Sequence, residues 1–165
     1  MALVTTSSFS ILLYGSPSTT LKISRGLRQG DPLSPFLFIL MMEGLGNAIK
    51  FAKAEGQIQG LKLTMNGEAL THQKFVDDTM LQGTPTVKEA LAYKIILNDF
   101  AMATGTEVSL TKSNIFFFNT DIAIQRNISR ILGFQRDMLS SKYLKVPLTN
   151  KTLSKAVWDT CLQEN

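Results

Sequence analysis

The chain has 165 residues, 44% hydrophobic and 18% charged, with a net charge of +4. That length fits one domain around one core, and the composition argues for a globular core rather than disorder. The lone cysteine, Cys161, excludes a disulfide framework and a thiolate metal site, and it fits a reducing, intracellular compartment.

The first residues carry no basic n-region, and Thr5, Thr6, Ser7 and Ser8 interrupt their apolar stretch, so no signal peptide is expected. Residues 9–14 and 19–24 read as strands about a Gly15-Ser16-Pro17-Ser18 turn. A loop, 25–31, leads to a helix reaching about residue 54, with Asp31 as N-cap and Pro32 at the first helical position. Phe36, Leu37, Leu40, Met41, Leu45 and Ala48 share one face of it at helical spacing. The apolar run 36–42 lies between Asp31 and Glu43 and is too short to cross a bilayer, so no membrane partner is expected.

Residues 61–65 and 69–76 read as strands around Asn66-Gly67, and 79–82 as the return strand after Asp77-Asp78. A helix is predicted over 87–103 with Gly105 as its stop, and another over 122–132 ended by Gly133. Residues 108–110, 115–118 and 143–148 read as strands, and 153–162 as a last helix. Mixed helices and antiparallel hairpins make the class α+β. No repeat, low-complexity tract or linker interrupts it. The chain starts within a sheet and stops within a helix, so both ends read as cut.

Asp77 and Asp78 sit between apolar steps, Phe75-Val76 and Met80-Leu81, at an expected hairpin tip. An ordinary polar turn favours the same residues. The alternative is chemical. Nucleotidyl transfer uses two divalent cations about 3.5–4 Å apart, and Mg²⁺ takes one or two protein carboxylates with substrate phosphates. Side chains alternate along a strand, so neighbouring aspartates serve one site only where the strand turns. If only one of the pair is a main ligand, alternation favours the strand-end residue, Asp77, with Asp78 secondary.

Loop 25–35 combines Gly26, Gly30, Arg25, Arg28 and a helix start. Glycine admits a ligand close to the backbone, and a helix N-terminus with arginines attracts phosphate. A plain loop capped by Asp31 has the same composition. Residues 126–155 hold Arg126, Arg130, Arg136, Lys142, Lys145, Lys151 and Lys155 against Asp137 alone, a net +6, while the remainder nets −2. Such a stretch suits a phosphate backbone, or simply a solvated surface.

Four segments in order resemble the reverse transcriptases of non-LTR (LINE-class) retrotransposons. Arg25-Gly-Leu-Arg-Gln-Gly-Asp-Pro-Leu-Ser-Pro-Phe-Leu-Phe-Ile-Leu40 resembles their nucleotide-contacting loop and helix. His72-Gln-Lys-Phe-Val-Asp-Asp78 resembles their catalytic hairpin. Thr111-Lys-Ser-Asn-Ile-Phe-Phe117 and Leu132-Gly133 with Tyr143-Leu-Lys-Val-Pro-Leu148 are similar to later segments of the palm and the thumb entry.

The resemblance implies a partial right-hand polymerase palm over 1–140, with the start of a thumb over 141–165. It implies copying of an RNA template from a DNA primer with deoxynucleoside triphosphates, and two Mg²⁺ ions (or Mn²⁺) on Asp77 and Asp78. By the same implication Arg28, Gln29 and Gly30 meet the incoming nucleotide, and Phe75 supports the primer end. Lys112 lies near the leaving phosphate or covers the sheet with its stem. The charge distribution, not the resemblance, makes Arg126, Arg130, Arg136, Lys142 and Lys145 the candidate nucleic-acid contacts, while the family implies a nuclear compartment.

Departures from the pattern are equally specific. The family has a further catalytic aspartate upstream, whereas residues 1–25 contain no acidic side chain. Fingers and most of the thumb are not represented, so the isolated chain is expected to be inactive, or to persist as a non-catalytic nucleic-acid-binding remnant. Gln73 and Lys74 stand where the family has apolar residues, and Lys145 where it has glycine. By alternation Lys74 shares the face of His72 and Val76. On a packed face, an unpaired ammonium costs several kcal/mol.

Overall fold

The computed structural model describes residues 8–22, 26–27, 30–62, 64 and 67–138, and the strands Lys142–Tyr143 and Val146–Pro147. It has the expected α+β character, three helices among short strand pairs. β1 (Ser8–Phe9) pairs antiparallel with β4 (Leu21–Lys22), and β2 (Leu12–Leu13) with β3 (Ser16–Pro17). The turn lies at Tyr14-Gly15 rather than 15–18, with φ of 49° and 80°. Two positive φ values are the type I′ requirement, whose twist matches the flanking strands, so Ser16 and Pro17 fall into the ladder. The Ser18 hydroxyl accepts from the Ile11 amide at 3.0 Å where the ladder breaks.

α1 (Ser34–Ala54) starts two residues later than expected. The Asp31 carbonyl accepts from the Ser34 amide at 3.1 Å and its carboxylate from Leu33 at 2.8 Å. Asp31-Pro32-Leu33-Ser34 is therefore a β-turn with Pro at its second position, which the fixed proline φ favours over a helical first turn. Pro35 takes the first-turn place instead. By length and apolar content α1 meets the requirement for crossing a bilayer, but Leu45, Ile49 and Ala52 belong to the core. The predicted face is corrected accordingly. Phe36, Leu40 and Ala48 are exposed, and the buried stripe is 45, 49, 52. Apolar side chains surround the first two turns, so spacing alone could not tell which side packs.

Between α1 and the next hairpin, the described residues of the expected strand pair show one bridge, Leu61 to Leu70, while residues 63, 65 and 66 lie outside the described residues. β5 (His72–Phe75) and β6 (Asp78–Leu81) form the antiparallel hairpin, with Phe75 opposite Asp78. α2 (Val87–Thr104) and α3 (Ile122–Leu132) agree with expectation, because both carry strong caps. The Thr86 hydroxyl and Asp121 carboxylate accept amides of the first turn, and Gly105 and Gly133 end the helices at φ 72° and 82°. Lys94 of α2 donates to the Leu132 carbonyl at 3.2 Å, placing a cation at the α3 C-terminus.

α2 packs against α1 on one side and α3 on the other. The core is Leu45, Ile49, Ala52, Ile58, Ala90, Ala92, Tyr93, Ile128 and Leu132. β7 (Asn114–Ile115) pairs parallel with β8 (Gln135–Arg136), α3 serving as the crossover. The strand predicted over 115–118 is thus shorter and displaced by one residue, and the Ser109-to-Lys112 turn takes the end of the segment predicted as strand 108–110. The single strand expected at 143–148 is two, β9 (Lys142–Tyr143) and β10 (Val146–Pro147), paired antiparallel. The helix expected over 153–162 lies outside the described residues.

Candidate active site on the β5–β6 hairpin

The hairpin tip carries the two candidate carboxylates, Asp77 and Asp78. β5 and β6 are joined by Val76-Asp77, so the turn lies one residue earlier than expected and Asp78 belongs to β6. Val76 has φ 51° while Asp77 does not share a positive φ, the sign pattern of a type II′ turn. Glycine is the usual occupant there. A β-branched residue with positive φ is a genuine outlier, costing on the order of 1–3 kcal/mol. Strain is therefore stored one residue before Asp77.

Asp77 and Asp78 are both exposed. The ion pairs among the described residues are Lys53–Glu68 and Lys74–Glu43, so neither aspartate is consumed by an internal cation. Among the described residues no third His, Cys, Asp or Glu joins them as a ligand group. Two adjacent carboxylates suit a hard divalent cation that keeps further positions for phosphate and water. They do not make a closed protein cage. Phe75 is 57% exposed opposite Asp78, an apolar surface beside the pair.

The hairpin is held at its base and along its side. The Tyr93 hydroxyl of α2 lies 3.0 Å from the Thr71 carbonyl and 2.7 Å from that of Gln82, the residues flanking β5 and β6. Burial, then the nearby Glu89 carboxylate, pushes the Tyr93 hydroxyl above its ordinary range, so it stays a donor. Glu89 is itself buried. It accepts from the amides of Gln59 at 2.8 Å and Thr84 at 2.9 Å and from the Thr84 hydroxyl at 2.7 Å.

Along the side, the Lys74 ammonium donates to the Met42 carbonyl at 2.8 Å and to Glu43 at 3.0 Å. The lysine that disturbs the sequence pattern is therefore paired. Its hydrogen bond, then its charge, holds the Glu43 carboxyl below the usual carboxylate range. Burial first, and the Lys74 charge second, hold His72 below the usual imidazole range.

The remaining sequence candidates fall as follows. Gly30 is exposed with φ 80°, and nothing lies within 4 Å of where a Cβ would project, so a ligand can approach its backbone. Arg28 and Gln29 lie outside the described residues. Lys112 is exposed, its amide donating to the Ser109 carbonyl at 3.2 Å. Neither a hydrogen bond nor an ion pair links it to the aspartates. Arg126 and Arg130 are exposed four residues apart on α3, and Arg136 is exposed on β8. Arg136 lines an open groove of about 550 Å³ with Gln125, Ser129 and Phe134. The Lys142 side chain and Lys145 lie outside the described residues.

Sequence reasoning missed Tyr93, Glu89 and Glu43. Thr86-x-x-Glu89 has the spacing of a capping box, the one pattern that marks Glu89. Its carboxylate turns instead to Gln59 and Thr84.

Comparison with known proteins identifies the architecture. The family of reverse transcriptases (RNA-dependent DNA polymerases) matches residues 3–147. An uncharacterized mitochondrial protein of Arabidopsis thaliana is 34% identical over 110 residues, covering 66% of this chain and 88% of the relative. A match spanning the loop, the hairpin and all three helices shows that the chain belongs to the reverse transcriptase family.

Proposed function

We propose that the chain is the palm segment of a non-LTR (LINE-class) retrotransposon reverse transcriptase, continuing into a thumb after residue 140. In this reading Asp77 and Asp78 hold the divalent cations of nucleotidyl transfer. The observation that carries it is the free aspartate pair at the tip of a strained, tightly held hairpin. The family match supports polymerase chemistry, and the segment 25–40 supports the LINE class.

Within this reading each side chain has a task. Asp77, on the turn, and Asp78, at the strand end, offer oxygens to Mg²⁺ or Mn²⁺. When bound, such ions activate a primer 3′ hydroxyl and offset charge on the leaving phosphate. Phe75 offers its exposed ring to the primer end. Gly30, with Arg28 and Gln29, brings backbone and charge to the nucleoside triphosphate, and Lys112 is a further candidate for its phosphates. Arg126, Arg130, Arg136, Lys142 and Lys145 contact the backbone of the RNA template and DNA primer.

The 165-residue chain alone does not extend a primer in this reading, since residues 1–25 supply no third carboxylate. Mg²⁺-dependent extension by the chain alone, abolished by Asp77→Ala, overturns that inactivity. Joined to an upstream strand bearing an aspartate and a basic fingers segment, the chain is expected to copy an RNA template. Extension that then survives Asp77→Ala overturns the metal role. An element copying at chromosomal sites works in the nucleus. Fractionation of a tagged full chain tests that location against the mitochondrial one in the Arabidopsis relative's name.

A further inference from the structure

We propose that Lys74 is a positioning residue that locks the β5–β6 hairpin against α1 and so sets where the Asp77-Asp78 tip stands. Along β5, His72 and Lys74 turn inward while Gln73 and Phe75 are exposed, the alternation of a strand with one face on a helix. That inner face meets α1 at Gly46, which is buried. A Cβ on Gly46 would lie 2.8 Å from the Lys74 Nζ and 3.2 Å from the His72 Nε2. The missing side chain is thus a notch, and both β5 side chains occupy it.

Inside the notch the ammonium reaches the Met42 carbonyl, whose ordinary helical donor is the Gly46 amide, four residues on. A carbonyl has a second lone pair, so Lys74 adds a bond without breaking the helix. Glu43, on the next residue, neutralises the charge. Glu43 and Gly46, neighbours on one face of α1, and Lys74, 31 residues after Glu43, therefore fit as one device. Among the described residues, the two hydrogen bonds that join β5 to α1 are both made by Lys74. An apolar residue at 74 fills space there but has no preferred direction. The lysine fixes both distance and register, three residues before Asp77. α1 begins just beyond the loop bearing Gly30, so the lock also sets the tip relative to that loop. Its catalytic consequence rests on the reading of Asp77 and Asp78 as metal ligands, but the lock itself does not.

His72 is the single histidine of the chain, which makes it a clean reporter. The charged groups acting on it are Lys74, Lys50 and Glu43. The experiment is an NMR titration of His72, with amide exchange, on the full 165-residue chain, on Lys74→Met and on Glu43→Gln. His72 should titrate higher in Lys74→Met, because a repelling charge is gone, and lower in Glu43→Gln, because an attracting one is gone. Amide exchange at residues 75–79 should rise roughly tenfold in Lys74→Met while the amides of α2 and α3 keep their rates. Unchanged His72 titration in both variants, or exchange that is unaltered or rises uniformly, overturns the lock. Glu43 is 55% exposed at its side chain, so Glu43→Gln keeps the test available if Lys74→Met does not fold. These readouts need no metal or primer, so failure of the polymerase reading registers separately.

Discussion

Tyr93→Phe removes one oxygen from the hairpin's base and leaves the buried ring in place. The hydroxyl serves two carbonyls, at 3.0 Å from Thr71 and 2.7 Å from Gln82. The Thr71 carbonyl keeps the Gln82 amide at 2.8 Å. The Gln82 carbonyl loses its hydroxyl donor in a half-buried position. A net hydrogen bond is worth about 1 kcal/mol, and an orphaned buried acceptor costs about 1–3. Partial access of water to Gln82 puts the expected loss at about 1–2 kcal/mol. Urea unfolding followed by circular dichroism reads this directly, and in melting temperature it is about 2–8 °C at this chain length.

The pH dependence sharpens the same test. In the folded chain the Tyr93 hydroxyl titrates above its ordinary value of 10.0, whereas in the unfolded chain it reverts to that value. Its contribution to stability is therefore complete below about pH 10 and is lost as pH rises from there toward the higher folded value. The Phe variant lacks that loss, so the gap between the two proteins should narrow above pH 10. A difference under about 0.3 kcal/mol at neutral pH, with parallel curves to pH 11, refutes the clasp, since the lower limit for such bonds is about 0.5.

Val76→Gly relieves a positive φ that costs about 1–3 kcal/mol and adds about 0.5–1 kcal/mol of backbone entropy. Because the Val76 side chain is 65% exposed, the expected outcome is a gain between zero and about 2.5 kcal/mol by urea unfolding; a clear loss shows the turn is unstrained. Neutralising Arg126, Arg130 and Arg136 together should flatten the salt dependence of duplex binding by up to about 2.7 in log–log slope, at about 0.9 per phosphate contact. An unchanged slope places the nucleic acid elsewhere.

Legibility in the sequence followed the strength of local chemistry. α2 and α3 were readable because Thr86, Gly105, Asp121 and Gly133 state their ends in side-chain oxygens and left-handed glycines. The aspartate pair was readable as a pattern, but its turn was placed one residue late. No local rule assigns a positive φ to valine, so Asp78 looked like part of the tip. The inner face of α1 was not readable, because Phe36, Leu40 and Leu45 are equally apolar and only tertiary contact with α2 separates them. Lys74 looked like a defect for the same reason. Its partners, Met42 and Glu43, lie 32 and 31 residues away, and nothing in the local string announces Gly46 as a notch.

The outward face at the start of α1 has a consequence for handling the protein in solution. Leu33, Phe36, Ile39 and Leu40 are 47%, 70%, 60% and 71% exposed. Contact between such surfaces is strengthened by sulfate and other excluded salts. Attraction between arginines and phosphate is weakened by salt of any kind. Raising sulfate therefore drives the chain toward itself and, in the proposed reading, releases it from nucleic acid. Light scattering and binding isotherms over one sulfate series should move in opposite directions.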